Sequence, residues 1–297
     1  MFHADKNNPF QFYDPRSLAC YSRLVVPESV IIPTTDEAAW NHFQEYRWVY
    51  LKLNVALSQE IRCAPIGFDP EEYPIFVKPI CNLLGMGVGA RKISNPEEYK
   101  DCQNLSGYFW MECLEGEHLS HDLVLQQGEL VFYSCFRGHS LEKGLFDYWE
   151  SIHPKEEVKK YVHGWVERHL KGYTGCINIE TISGKIIECH LRSGDLDKFG
   201  NLDLMQNIVN LYAGKEWKFR SELAPFFLYP VWGKHDKKYS ISQAVIQQLS
   251  QNLDFCQIED PTTYYANPLG GIRIALLGSY NQEACRSSRT FLNEHFL

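Results

Sequence analysis

The segment GYTGCINIETISGKIIECHLRSGD carries side chains that could act together on a charged substrate. It has the pattern of two strands joined by a tight turn, and alternate residues of a strand share one face of a sheet. Glu188, His190 and Arg192 therefore point together, as do Asn178 and Glu180 on the first strand. Carboxylate and amide oxygens suit Mg²⁺, and an arginine suits a phosphoryl group. A surface strand with a salt bridge is the alternative, but apolar flanking residues indicate a covered strand.

A second pattern, YPIFVKP followed by GMGVGARKIS, places a lysine at a strand end before a glycine-rich loop. Lys78 would bring a positive charge to a polyphosphate, and Gly85, Gly87 and Gly89 would let backbone N–H groups approach its oxygens. The same glycines fit an ordinary hairpin turn. The pattern therefore indicates a phosphate site only together with the others.

Acidic residues are concentrated in a third segment, WMECLEGEHLSHD. A strand that leaves an enclosed pocket can present backbone groups to an adenine edge and a carboxylate to ribose hydroxyls, but a solvated hairpin rim explains the same acids. Four more side chains near the predicted sheet could contact phosphate or substrate, although ordinary core or surface positions are the simpler explanation: His118, His121, Arg137 and His139.

The elements that must position these residues form an α+β pattern. A strand-like run covers LVVPESVII, and helical periodicity runs through DEAAWNHFQEYRWVYLKLNVALSQE. Strands are expected over 75–77, directly after the glycine-rich loop, over 108–113, 118–125 and 129–136, and in the two halves of the hairpin. Helices are expected over 154–171, 202–213, 241–251 and 281–295, with further strands in PFFLYPVW and IRIALLGS.

Composition limits the classes of protein to consider. The 297 residues are 44% hydrophobic with a net charge of −8 and no basic block, which argues against nucleic acid as a partner. None of the 10 cysteines forms a CxxC pair, so buried reduced thiols are favoured over disulfides or metal ligands. No signal-peptide pattern and no stretch of about 18 apolar residues is present, which predicts a cytoplasmic protein without a membrane partner.

Taken in order, these segments resemble the motifs of the ATP-grasp superfamily. YLKLNVALSQEIRCAPIG is similar to the segment with the first nucleotide lysine, which implies that role for Lys52, and YPIFVKP is similar to the segment with the second, Lys78. The glycine-rich loop then resembles the loop that closes over the phosphates. WMECLEGEHLSHDLVLQQGEL resembles the adenine and ribose segment, so Glu112 and Leu114 would flank the adenine hinge and Glu117 would bind ribose.

IIECHLRSGD resembles the metal-binding segment of the same superfamily. The resemblance implies that Glu188 bridges metal ions, that His190 replaces a metal-binding asparagine, and that Arg192 is the catalytic arginine. Imidazole is a poor ligand for Mg²⁺ but suits Mn²⁺, or a position that supports a metal ligand without binding the metal itself. Because the hairpin is short, either Asn178 or Glu180 could be the first ligand, and we favour Asn178, which lies further from the turn.

The resemblance implies two α+β subdomains that hold ATP between them, with a C-terminal α/β lobe. We expect a reduced N-terminal segment over 1–47, an ATP-grasp core over 48–200 and the C-terminal lobe over 201–297. It implies a ligase that uses ATP and Mg²⁺, or Mn²⁺, to activate a small-molecule or peptide carboxylate as an acyl phosphate for attack by an amine. A nucleotide-binding module without catalysis and a phosphotransferase are the alternatives.

Overall fold

Two antiparallel sheets of different size carry the residues of interest. The computed structural model describes residues 23–83, 87–141, 145–234, 237–259 and 271–295. The small sheet has four strands, in the spatial order β1 (Cys63–Pro65), β4 (Tyr108–Glu112), β2 (Ile75–Pro79) and β3 (Arg91–Ile93).

The large sheet has eight strands that include both the hairpin and the last third of the chain. Its spatial order is β11 (Phe255–Ile258), β12 (Ile272–Ser279), β10 (Phe227–Gly233), β7 (Phe146–Ser151), β6 (Glu129–Ser140), β5 (His118–Gln126), β8 (Gly175–Ile182) and β9 (Lys185–His190).

Helices cover these sheets or connect their strands. They are α1 (Asp36–His42), α2 (Lys52–Leu57), α3 (Pro96–Lys100), α4 (Glu156–His169), α5 (Leu202–Tyr212), α6 (Gln243–Asn252) and α7 (Gln282–Glu294), with 3₁₀ helices at Gln44–Tyr50 and Leu196–Phe199. The α+β prediction is confirmed. The boundaries proposed at 48 and 201 stay a prediction, although β10, which lies beyond residue 201, pairs directly with β7. No helix of the described ranges is long and apolar enough to cross a bilayer.

The helical periodicity after residue 36 does not produce one continuous helix. α1, a 3₁₀ helix and α2 follow one another, and the last break falls at Leu51, whose backbone is extended and bridges to Cys81. Lys52 N then donates to Ile80 O at 2.7 Å. Pairing with the chain that leaves β2 therefore ends the helix and starts α2 at Lys52.

Other differences from the sequence-based prediction also have local causes. The run LVVPESVII forms no strand, because Pro27 lacks an N–H and its carbonyl accepts a turn hydrogen bond from Val30 N at 3.0 Å. Three strands were not predicted: β1, β7 and β11. β1 and β11 are only three and four residues long, too short to show a clear period.

Helices cover both faces of the large sheet. On one face α4 buries Val162, Trp165 and Val166 against Ile177 and other apolar residues of β5 and β8. On the other, α5 packs against Val124, Phe136 and Cys176. The polar residues of the hairpin alternate with Ile177 and Ile179 along β8, so they lie on the face opposite α4.

The turn of the predicted hairpin is confirmed at Ser183 and Gly184. Both residues have positive φ, 51° and 77°, the backbone pattern of a type I′ turn that matches the twist of the paired strands. The turn fixes the register in which β8 and β9 pair.

β9 is an edge strand, and side chains from outside the sheet bond its free backbone. The amide of Gln59 donates to Ile186 O at 2.8 Å and accepts from Ile186 N at 2.7 Å. Gln59 follows α2, so these bonds attach the end of that helix to the sheet edge.

The loop after β9 is held against β5 by a buried acid. Asp122 accepts from Gly194 N at 2.6 Å and from Asp195 N at 2.8 Å. A Cβ added to Gly194 would stand 2.6 Å from Nδ2 of Asn178, a side chain that is itself buried and hydrogen-bonded. Only glycine fits this approach without displacing Asn178.

We predict that Gly194→Ala destabilises the protein by about 1–3 kcal/mol, because the added methyl overpacks a site whose neighbours cannot move away. The free energy of unfolding in urea measures the loss. Gly164→Ala is the matched control. Its new Cβ would meet only Arg168 Nη1 at 3.7 Å, inside α4, so a gain of about 0.5–1 kcal/mol is expected there. Equal stability of the Gly194 variant and the native protein would contradict the close approach.

Candidate active site

Two carboxylates lie directly opposite each other on the β8–β9 hairpin. Glu180 pairs in register with Glu188, and Asn178 pairs with His190. The alternation predicted from the sequence is therefore confirmed. Like charges at directly opposed positions of a sheet destabilise it unless other groups compensate them. The surroundings of this pair consequently decide what the hairpin can do.

Two lysines from outside the hairpin reach the carboxylate pair. Lys52 Nζ, at the start of α2, lies 2.7 Å from Glu188 Oε1. Lys78 Nζ, on the small sheet, donates to Ile187 O at 3.0 Å and lies 5.6 Å from the Phe109 ring centre. Both lysine side chains are buried. The structure thus brings together the two upstream lysines and the downstream strand.

The buried position of Lys78 changes its acidity. Burial, and then the nearby charge of Lys52, lower its pKa to about 8, while Glu188 and Glu180 act in the opposite direction. Burial alone raises the pKa of Glu188, but Lys52 and His190 outweigh it and hold that pKa well below its usual range. Glu188 is therefore ionised at neutral pH, with Lys52 and His190 as its cationic neighbours.

A histidine ring nitrogen faces each carboxylate of the pair. His118 Nε2 lies 2.9 Å from Glu180 Oε2, and His190 Nε2 lies 3.3 Å from Glu188 Oε1. Burial alone raises the pKa of Glu180, and the hydrogen bond from His118 more than reverses this, so the pKa is lowered.

Asp36 is a site residue that the sequence analysis did not identify. Its Oδ1 lies 3.0 Å from His190 Nδ1 and 3.0 Å from Arg192 Nε, and its Oδ2 accepts from Arg192 Nη2 at 3.1 Å. Burial lowers the pKa of His190, but the charge of Asp36 overcomes this and raises it to about 9. Asp36 thus holds the imidazolium of His190 and the guanidinium of Arg192 together.

Nothing in the sequence distinguishes Asp36 from an ordinary helix-start acid. It follows Thr35, whose hydroxyl accepts from Ala38 N at 3.2 Å as the N-cap of α1. Acids are common in the first turn of surface helices. Tyr50 also connects Asp36 to the chain after β9, since its hydroxyl donates to Asp36 Oδ1 at 3.3 Å and accepts from Leu191 N at 3.1 Å.

Asn178 lies beside the pair with a fixed orientation. Its Nδ2 donates to Ser120 Oγ at 2.9 Å and to Asp122 Oδ1 at 3.1 Å. With the amide nitrogen turned toward β5, the amide oxygen is the group left for other partners. Both predicted first ligands, Asn178 and Glu180, therefore lie on the face that carries Glu188.

Residues predicted to bind the base and ribose are more dispersed. Leu114 packs with Phe76, Met111 and other apolar residues on the side of the small sheet that faces α2. Glu112 pairs in register with Ile75, whose side chain lies on the other side of that sheet, away from Lys78. The Glu112 carboxylate lies 3.6 Å from Arg62 Nε. The structure does not bring that carboxylate to the lysines, so only the backbone of Glu112 remains for an adenine contact.

Three other predicted residues lie near the hinge and in the glycine-rich loop. Glu117 Oε1 lies 2.7 Å from Arg137 Nε. Gly87 and Gly89 have positive φ, 62° and 79°, which favours glycine at both, and Gly85 lies outside the described residues.

Two of the histidines considered from the sequence lie on the opposite face of the large sheet. His121 is buried between Tyr133 Oη, at 2.7 Å, and Thr181 Oγ1, at 2.9 Å, and burial lowers its pKa to about 4. His139 stacks on Tyr148 and lies 2.9 Å from Glu150 Oε1. Both occupy the ordinary positions that the sequence left as alternatives.

The donor set fits a hard cation. No group of three or more His, Cys, Asp or Glu side chains in the described ranges has the arrangement of a self-sufficient metal site. Mg²⁺ often takes only one or two carboxylates from a protein and completes its shell with phosphates and water. The ionised, directly opposed Glu180 and Glu188 meet that requirement.

Comparison with solved structures identifies the fold. The chain is similar to L-amino acid ligase from Bacillus licheniformis, with a TM-score of 0.61 and 13% identity over 90% of this chain and 79% of that one. For N5-carboxyaminoimidazole synthase from Aspergillus clavatus, solved with ADP and 5-aminoimidazole ribonucleotide, the TM-score is 0.62 and the identity 8%, over 89% of this chain and 81% of that one. The chain has the ATP-grasp fold.

A further ATP-grasp neighbour is the biotin carboxylase domain of 2-oxoglutarate carboxylase from Hydrogenobacter thermophilus, solved with MgADP and bicarbonate. Its TM-score is 0.59 and its identity 12%, over 88% of this chain and 71% of that one. No family model and no curated protein matches the chain. At these identities the likeness establishes the fold alone.

We predict that Asp36→Asn destabilises the protein by about 3–5 kcal/mol, because it leaves two cations, His190 and Arg192, beside a neutral amide in a buried position. Urea unfolding measures the loss. Glu37→Gln is the control, since Glu37 is the exposed neighbour in the same helical turn, and it should cost less than about 1 kcal/mol. Equal effects of the two substitutions would show that Asp36 contributes only as a helix-start acid.

Proposed function

We propose that the protein is an ATP-dependent, ADP-forming ligase that activates a carboxylate as an acyl phosphate and joins it to an amine or a similar nucleophile. The supporting observation is the meeting of Lys52 and Lys78 with the Glu180–Glu188 pair. Two cations beside two ionised acids can neutralise a nucleotide's phosphates together with a divalent ion. The similarity to a protein named as an L-amino acid ligase favours ligation within this fold.

Each lysine would have a defined task. Lys52 and Lys78 would bind phosphate oxygens, and their burial strengthens those contacts because little water screens them. The backbone around Gly87 and Gly89 would add N–H donors. Leu114 and its apolar neighbours would cover one face of the base. Glu117 would need to release Arg137 to bind ribose hydroxyls.

Arg192 would stabilise negative charge on the reacting groups. Its guanidinium is held by Asp36 and by Ser193 O, to which Nη1 donates at 3.1 Å, and its side chain is one-fifth exposed. A fixed cation of this kind favours the transition state because it needs no reorganisation during the reaction. Glu180 and Glu188, with Asn178 beside them, would hold Mg²⁺ or Mn²⁺. When bound, that ion would offset the charge on the transferred phosphoryl group.

The proposed substrates are small molecules or peptides that carry a carboxylate and an amine. ATP consumption measured against a panel of amino acids and small carboxylates, with mass spectrometry of the products, tests the reaction. We expect ADP, phosphate and an amide. A stable phosphorylated product would indicate a phosphotransferase, and nucleotide binding without turnover against any member of the panel would favour a binding module.

We predict that Lys78→Ala weakens MgATP binding by roughly 10- to 150-fold, since it removes a charged hydrogen-bond donor to phosphate. Calorimetric titration gives the affinity. Lys92→Ala, which removes an exposed lysine from the same small sheet, should leave it unchanged. Undiminished affinity in the Lys78 variant would refute the nucleotide site.

Glu188→Gln keeps the shape of the side chain and removes its charge. We predict that Mg²⁺ then no longer tightens ATP binding, because the cation loses one of its two carboxylates. Titrations with and without Mg²⁺ measure the effect, and Glu150→Gln, on the opposite sheet face, serves as the control. Normal Mg²⁺-dependent tightening in the Glu188 variant would rule out its metal role.

A further inference from the structure

Each carboxylate of the pair uses one oxygen for protein partners. Glu188 Oε1 lies 2.7 Å from Lys52 Nζ and 3.3 Å from His190 Nε2. Glu180 Oε2 lies 2.9 Å from His118 Nε2. Within the described ranges, no hydrogen bond or ion pair reaches the other oxygen of either residue. The pair therefore keeps one oxygen on each side for an additional cation.

Neither histidine presents a nitrogen lone pair to the carboxylate that it faces. The two ring nitrogens of His190 face carboxylate oxygens, at 3.0 Å from Asp36 and 3.3 Å from Glu188. A carboxylate at hydrogen-bond distance only accepts, so each nitrogen must present an N–H. The same reasoning gives His118 an N–H at Nε2, which faces Glu180.

Both rings are also held in place by their surroundings. His118 makes edge contacts with Phe146 and Trp149, with ring centres 5.2 and 5.7 Å away. His190 is buried and packs edge-on against Tyr50. To turn the nitrogen that faces its carboxylate toward a metal ion, either ring would have to leave that carboxylate and these contacts.

We propose that His118 and His190 are positioning residues, which hold the carboxylates of Glu180 and Glu188 for the divalent cation without ligating it. The inference rests on the proposed function, because the cation is the one that would accompany the nucleotide. An all-oxygen donor set suits Mg²⁺, whereas imidazole ligation would favour transition metals. Hydrogen bonds of this kind orient metal-binding groups and raise affinity for the ion.

Mn²⁺ is a spectroscopic probe for the test. The full-length protein is titrated with Mn²⁺ in the presence of ADP, and the bound ion is counted by equilibrium dialysis. Pulsed electron paramagnetic resonance is then recorded on protein with ordinary histidine and on protein with ¹⁵N-labelled histidine. We expect bound Mn²⁺ and identical spectra from both samples.

The outcomes separate this inference from the proposed function. A spectrum that changes on histidine labelling would show an imidazole ligand and overturn the inference, while the nucleotide and metal site would stand. Failure of Mn²⁺ to bind with ADP would overturn both the inference and the proposed function.

Variants of the less buried histidine test the positioning role. His118→Leu cannot donate to Glu180, and we expect Mn²⁺ affinity in the presence of ADP to fall roughly 10- to 100-fold. His118→Gln keeps an N–H donor and should recover most of the loss. His139→Leu is the matched control, since it removes a histidine from a 2.9 Å pair with Glu150 on the opposite face. If His118→Leu bound Mn²⁺ as tightly as His139→Leu does, the positioning role would be overturned.

Discussion

The direct opposition of Glu180 and Glu188 is the constraint on which the rest of the site depends. Two ionised carboxylates at facing positions of a hairpin repel, so the fold must bring positive charge to them. It does so from three places in the chain: Lys52 on α2, Lys78 near the pair from the small sheet and His190 on β9 itself. His118 on β5 adds a hydrogen bond to Glu180. Among these groups, Lys78 also joins the two sheets, because its Nζ donates to Ile187 O on β9.

Asp36 extends this charge arrangement to the N-terminal part of the described chain. It bonds His190 and Arg192, and Tyr50 links it to the backbone of Leu191. The His190–Asp36 contact explains how histidine can be accommodated where the ATP-grasp resemblance implies asparagine. With a carboxylate on each side, the imidazolium belongs to a continuous chain of alternating charges, and its exchange for another residue would have to be matched at position 36.

Much of the site was predictable from the sequence, because side chains along a strand alternate between its two faces. Asn178, Glu180, Glu188 and His190 follow the two-residue period of a strand, and a turn of positive-φ residues sets their register. Lys78 was identifiable because a strand, a lysine and a glycine-rich loop follow in order. The Glu112 side chain could not be assigned a face without the pairing of β2 with β4. Asp36 gave no signal, because its partners are about 150 residues away and the first turn of a helix is a common place for an acid.

The bonds from Gln59 and Lys78 to Ile186 and Ile187 have a consequence for association between molecules. An uncovered edge strand is a template on which a foreign strand can add. Here an amide and an ammonium group already occupy the donors and acceptors of that edge. A peptide that joined the sheet beside β9 would have to displace the lysine proposed to bind phosphate, so sheet extension at this edge and nucleotide binding would compete for one side chain.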